Sequence, residues 1–265
     1  MLWQFRNTGC RTGEFNMKYD EKLAQMLVLS DQPFVVRVYG WKPPAISLGW
    51  HQNIEEIDLA KCAEAGIDVV RRPTGGRAIL HSDEVTYSVV MVASQKSVLS
   101  VYQQISEALV GGLNAIGADV SLEKSQPHFP SLYRSSSSVA CFASAARYEI
   151  QISGRKLVGS AQRRFARAHA EEVVLQHGSI LLGSDHLRMV DFLKGLDESQ
   201  RQTLRNELKQ KTVDLSSALG RTVRFEEVVP ALKRGFEQAW GVRFQDVEED
   251  EATFAGTHQP AGEEM

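Results

Sequence analysis

The pair Ser153-Gly154 stands between two runs rich in strand-forming residues, Tyr148 to Ile152 and Leu157 to Arg164. A Ser-Gly pair in that setting predicts a hairpin turn, and Glu172 to Leu182 predicts a third strand beside the hairpin. Upstream, Phe34 to Tyr39, Ala45 to Gly49, Ile67 to Arg71, Ala78 to Leu80, Val85 to Val92 and Asp119 to Leu122 also read as strands. Helices are predicted over 16–29, capped by Asn16, over 57–65, stopped by Gly66, and over 101–116, where Ile105, Leu109, Leu113 and Ile116 share one face. From Ser184 onward the pattern turns helical, over 185–194, 199–209 and 226–240. Strands in hairpin-like order with inserted helices lack the regular strand–helix–strand rhythm of a doubly wound fold. They predict an α+β protein: a mixed or antiparallel β-sheet core with packed helices, plus a C-terminal helical segment. The expected divisions are a main domain over 1–183, the helical segment over 184–245 packed on it, and an acidic, disordered tail over 246–265.

Composition narrows the partners. The net charge is −3 and no dense Lys/Arg run occurs, so nucleic acid is not an expected partner. No apolar stretch approaches the roughly 20 residues of a membrane span, and Met1 to Asn7 is too polar for a signal peptide. Three cysteines, Cys10, Cys62 and Cys141, have no paired spacing, which predicts a reducing, cytoplasmic setting without disulfides. The seven histidines are scattered and no Cys/His cluster has zinc spacing, so no metal and no cofactor are expected. A monomer is the default oligomeric state.

Four segments carry candidate chemistry. Cys141 follows the serine run Ser135 to Ser138 within a long irregular stretch, Lys124 to Ala146. Loops this long inside a compact domain are often functional. A loop thiol beside a cation suits a nucleophile, whereas Cys10 and Cys62 suit incidental or buried thiols, Cys62 lying in a helix beside Ala60 and Ala63. Lys156 begins the strand after the Ser153-Gly154 turn, on a rigid element; an exposed turn lysine is the alternative. In Arg71-Arg72-Pro73-Thr74-Gly75-Gly76-Arg77 the two glycines allow close backbone approach, and Arg71, Arg72 and Arg77 suit an anionic group such as phosphate. An ordinary turn with solvated arginines fits the same residues. His177, before Gly178, reads as a satisfied structural histidine more readily than as a group at a ligand, and His81 is read in the same way, as a group lining a pocket rather than a general base.

Together these segments resemble the biotin/lipoyl protein ligase and lipoyl transferase superfamily, over about Asn16 to Gly183. The carriers are Arg72-Pro73-Thr74-Gly75-Gly76-Arg77-Ala78-Ile79-Leu80-His81, then Gly154-Arg155-Lys156-Leu157-Val158-Gly159-Ser160-Ala161-Gln162, then His177-Gly178-Ser179-Ile180-Leu181, in the expected order. The position of Ala140-Cys141-Phe142-Ala143-Ser144 before the lysine hairpin is most similar to the octanoyltransferase branch of Gram-positive bacteria. The resemblance implies transfer of an octanoyl group from acyl carrier protein to a lysine of a lipoyl domain or of the glycine-cleavage H protein. It implies Cys141 as the acyl-accepting nucleophile and Lys156 as the group at the acyl carbonyl. It implies an acyl tunnel lined by the loop with Arg72, Thr74, Gly75, Gly76, Arg77 and His81 and by the strand Gly159, Ser160 and Ala161, and His177 is a further candidate for substrate binding.

ATP-dependent lipoate ligases share this scaffold, but their glycine loop usually reads Gly-Gly-Gly and Gly-Asn usually follows the histidine. Here Arg77 stands third and Ser82-Asp83-Glu84 follows His81. An amidotransferase working between lipoyl domains and a non-catalytic lipoyl-domain-binding protein are the further alternatives.

Overall fold

The computed structural model describes residues 2–93, 95–123 and 148–247. Cys141, the whole irregular stretch Lys124 to Ala146 and most of the acidic tail lie outside the described residues.

Among the described residues eight strands form the main sheet. They are β1 (Trp3–Arg11), β2 (Phe34–Trp41), β6 (Glu84–Val92), β7 (Ser121–Leu122), β8 (Ile150–Ile152), β9 (Arg155–Ala166), β10 (Glu172–Leu181) and β11 (Phe244–Asp246). Their spatial order is β11-β1-β2-β6-β10-β9-β8-β7. A smaller sheet is made by β3 (Ala45–Leu48), β4 (Asp68–Arg71) and β5 (Ile79–His81), in the order β4-β3-β5. The pairings are antiparallel except β1 with β2 and β11, and β3 with β4. This is the mixed α+β architecture the strand order predicts.

The β8–β9 turn forms as the Ser-Gly pair requires, with φ of 49° at Ser153 and 75° at Gly154. Two positive φ values in succession match the right-handed twist of the flanking strands. The strand β1 was not expected, because Arg6, Asn7 and Arg11 dilute its alternation. Its apolar residues Trp3 and Phe5 are nonetheless buried.

The first helix, α1 (Gly13–Leu29), begins three residues earlier than the Asn16 cap predicts. Thr12 is the cap, its hydroxyl accepting from the Phe15 amide at 3.3 Å. Asn16 is instead fully buried inside the helix, where its side-chain amide donates to the Gly40 carbonyl at 3.0 Å. A cap and a buried bridge look alike in sequence, since both use a short side chain that hydrogen-bonds backbone.

On the opposite face of the main sheet, α3 (Val98–Asn114) packs against α6 (Phe225–Trp240). Gly112 and Gly235 set their separation: a Cβ on Gly112 would come within 2.7 Å of the Ala231 carbonyl oxygen, and one on Gly235 within 2.4 Å of the Gly112 nitrogen. The remaining helices are α2 (Leu59–Glu64), α4 (Glu198–Lys211) and α5 (Leu215–Leu219). Residues 184–192 form 3-10 turns rather than the expected α-helix. The C-terminal segment also does more than cover the domain. It ends in β11, which pairs parallel with β1 through Trp3↔Phe244, and Val213 donates its amide to the Lys156 carbonyl in β9 at 3.0 Å.

Candidate active site

Strand register aligns two rows of residues across the main sheet. One row is Tyr39–Thr86–Ser179–Gly159 and the next is Arg37–Ser88–His177–Ala161. Directly paired residues point to the same face, so both rows face the side covered by α1 and the small sheet. Between these layers lies a narrow cavity. Its lining includes Met17 from α1, Ser47 and Ile79 from the small sheet, and Trp41, Thr86, Gly159 and Ala161 from the main sheet.

Six residues expected to bind the substrate, Arg72, His81, Gly159, Ser160, Ala161 and His177, border this cavity. Thr74 lies one contact behind it, with Oγ1 2.6 Å from His177 Nε2. Gly75, Gly76 and Arg77 do not line it. Their loop is laced to the segment after β3. Trp50 donates its amide to the Thr74 carbonyl at 2.9 Å, and a Cβ on Gly49 would fall 1.9 Å from the Gly76 oxygen.

Arg71 and Arg72 of this loop hold backbone rather than presenting a cradle for an anion. Arg71 donates to the carbonyls of Gly49 and Gln52, each at 2.8 Å, and of Trp50 at 2.9 Å. Arg72 is buried and donates to the carbonyls of Ser47 (2.9 Å), Gly75 (2.8 Å) and Arg77 (2.7 Å). Arg163 crosses from β9 to the Pro73 carbonyl at 3.1 Å and stacks on Trp50. The sequence offers guanidiniums as ligands; the fold uses them to rigidify the loop beside the cavity.

Two buried carboxylates organise the polar floor, and neither was identified from sequence. Asp20 of α1 accepts from Arg37 (2.8 Å), Ser88 (2.8 Å) and Tyr39 (2.9 Å), and contacts His177 Nδ1 at 3.3 Å. Burial disfavours the Asp20 charge, but Arg37 and His177 outweigh it and hold the carboxyl below its ordinary value. Burial pushes His177 down, against the Asp20 contribution, which favours the neutral imidazole. Nδ1 then donates to Asp20, and Nε2 accepts from the Thr74 hydroxyl. The structural reading of His177 therefore describes its contacts, while the same ring borders the cavity.

Glu84 is the second. It accepts from His81 Nδ1 (2.8 Å), Thr86 (2.5 Å) and Ser179 (2.8 Å) through a single oxygen. Burial raises its pKa, but these partners reverse the shift and leave it lowered. Trp41 stacks on the His81 ring at 4.0 Å, and its indole N–H donates to Thr86 at 2.7 Å. A signal for both was present: Asp20 falls at i+4 from Asn16 on the buried stripe of α1 that continues through Leu23, Ala24 and Leu27. Glu84 follows His81 by three residues.

Lys156 does not border the cavity, but an irregularity in β9 turns it to the sheet face on which the cavity lies. Val158 pairs with Ile150, but Lys156 pairs with Gln151. Leu157 is thus an extra residue, and such a bulge re-aims its neighbours. Ile150 and Gln151 point to opposite faces, so Lys156 and Val158 do as well. Lys156 thereby shares the face of Gly159 and Ala161. Its Nζ lies 2.7 Å from Glu149 Oε1, and both side chains are buried, at 7% and 6% exposure.

Among the described residues no helix is long and apolar enough to cross a membrane.

The lipoyl protein ligase A/B catalytic domain matches residues 12–237. Octanoyltransferase LipM of Kyrpidia tusciae is 39% identical over 248 residues, spanning 92% of this chain and 89% of that protein. Octanoyltransferase LipM of Bacillus subtilis is 34% identical over 253 residues, spanning 93% and 89%. Among solved structures, the bipartite lipoate protein ligase of Thermoplasma acidophilum superposes with a TM-score of 0.76 at 21% identity, over 96% of this chain and 91% of that one. A lipoate-protein ligase A bound with ATP superposes at 0.73 and 22%, over 96% and 93%. The structural likenesses establish a shared fold, and with the matched domain and the curated relatives they lead to one conclusion: the chain belongs to the lipoyl protein ligase A/B catalytic domain family.

Proposed function

We propose that the protein is an octanoyltransferase of lipoate biosynthesis, moving an octanoyl group from acyl carrier protein to a lysine of a lipoyl domain or H protein. What supports this reading most is the kinship with octanoyltransferases over about nine-tenths of both chains. A narrow cavity bordered by six of the motif residues, with Lys156 on the same face of the sheet, agrees with it. The same reading makes the enzyme a cytoplasmic monomer that needs neither cofactor nor metal.

In this mechanism the Cys141 thiolate attacks the thioester carbonyl of the donor. A new S–C bond forms at Cys141, the carrier's S–C bond breaks, and the carrier leaves as its thiol, taking up the proton that Cys141 released on ionising. The Lys156 ammonium favours the thiolate and stabilises the tetrahedral oxyanion. The acceptor amine then attacks the acyl-enzyme. An N–C bond forms, the Cys141 S–C bond breaks, and the amine proton returns to sulfur. Exchange of a thioester for an amide is downhill, so no ATP is required.

The test is intact-protein mass spectrometry after incubation with octanoyl-acyl carrier protein without ATP, followed by addition of a lipoyl domain. The expected result is a hydroxylamine-labile octanoyl adduct on Cys141 that moves to the acceptor lysine and is absent in Cys141→Ala. Acceptor modification only with free octanoate, ATP and magnesium would establish a ligase instead. A donor restricted to octanoylated H protein would establish an amidotransferase.

A further inference from the structure

We propose that Glu149 is a positioning residue of the acyl transfer, holding Lys156 as an ammonium on the cavity face. The inference rests on the acyl-transfer reading and adds to it a residue that this reading does not use.

Three observations converge. The first is the pair itself: Nζ and Oε1 are 2.7 Å apart with both side chains more than nine-tenths buried. An exposed lysine–glutamate pair contributes little, whereas removing one partner of a buried pair leaves an uncompensated charge. The second is the bulge at Leu157. It places Lys156 on the same side as Gly159 and Ala161, where regular alternation would turn it to the α3 side. The third is that both main chains are tied down. The Glu149 carbonyl accepts from the Glu123 amide at 2.8 Å, and the Lys156 carbonyl accepts from the Val213 amide at 3.0 Å. Thr212, which bridges to Lys156, is itself held by His186 Nε2 at 2.8 Å.

A lysine that acts by charge must keep its proton and a fixed direction. Nothing in the transfer chemistry requires a carboxylate at this point. A buried anion at contact distance supplies both conditions: it favours the ammonium and restrains a side chain with many rotamers. The C-terminal segment enters the site by the same route, through the Thr212–Val213 pairing with the strand that carries Lys156.

The experiment is a double-mutant cycle on the full chain with Glu149→Gln, Lys156→Gln and the double variant, measuring octanoyl-enzyme formation across pH. Glu149→Gln is expected to lower the rate by about ten-fold or more while KM for octanoyl-acyl carrier protein stays within about two-fold. Its alkaline limb is expected at lower pH, because the ammonium has lost its anion. Glu149→Asp keeps the charge, so it is expected to recover part of the rate with a limb near that of the wild type. In the Lys156→Gln background, Glu149→Gln is expected to cause no further loss. A wild-type rate and pH profile in Glu149→Gln would overturn the inference, as would an equal loss from Glu149→Gln with and without Lys156. A wild-type enzyme that forms no octanoyl adduct would instead overturn the acyl-transfer reading.

Discussion

Thr74 Oγ1 sits 2.6 Å from His177 Nε2, joining residues 103 apart in the chain. This contact ties the glycine loop to the floor of the cavity. In Thr74→Val the shape is kept but the buried imidazole nitrogen loses its donor. The expected cost is about 1–3 kcal/mol in stability, read by urea denaturation, with a larger loss of octanoyl transfer than Thr74→Ser shows. Equal transfer by the valine and serine variants would show that the contact has no bearing on the site.

Arg37 is fully buried between the rings of Tyr19 and Tyr39 and is paired with Asp20. Arg37→Met leaves Asp20 uncompensated, and a loss of about 3–5 kcal/mol is expected. Adding Asp20→Asn is expected to recover part of it. Chemical denaturation of the two singles and the double measures this coupling.

The cavity surface at Ala161 faces the same side as His177. Ala161→Leu fills part of that space. Each methylene excluded forfeits about 0.8 kcal/mol of burial, so transfer of octanoyl is expected to fall while a shorter acyl donor retains its rate. Competition between butanoyl- and octanoyl-acyl carrier protein reads the ratio directly.

Stability has a defined pH dependence. Burial lowers the pKa of both His177 and His186. The unfolded chain therefore binds more protons below the ordinary histidine value of about 6.5, and stability falls as pH drops from there towards the folded values. Asp20 and Glu84 act in a lower window. Their folded values are depressed, so their contribution is present above the ordinary carboxylate range and is lost as pH falls through the folded values. Urea midpoints are expected to decrease from pH 7 to pH 5, less steeply in His186→Asn. A flat wild-type profile over that interval would contradict the burial of neutral histidines.

Gly49 permits the closest approach of the glycine loop. Gly49→Ala would place a methyl against the Gly76 carbonyl, a backbone atom that cannot rotate away. The loop must shift, with an expected cost of about 1–3 kcal/mol and reduced transfer. A crystal structure of the variant shows the displacement.

Much of the fold was legible because local rules and tertiary packing agree. The stripe Ile105, Leu109 and Leu113 is buried on α3, as its 3.6-residue period requires. The Ser153-Gly154 turn and the long strand Val85 to Val92 follow the same logic. Strand β1 was not legible, because it takes its partners from β2 and from the far C-terminus, and its polar residues disguise its alternation. The motif residues were recognisable, but their division of labour was not. Arg71 and Arg72 looked like anion ligands, since a guanidinium bound to carbonyls and one awaiting a phosphate have the same sequence.

The sequence by itself determined the α+β class and the hairpin carrying Lys156. Those depend on backbone geometry and side-chain periodicity, which act over a few residues. Only the tertiary structure decided which charges are buried together. Asp20 with Arg37 and His177, and Glu149 with Lys156, each depend on how α1 packs on the sheet, which strands lie side by side and in what register. One inserted residue at Leu157 was enough to turn Lys156 to the sheet face of Gly159 and Ala161, because a pleated strand reverses its side chains at every step.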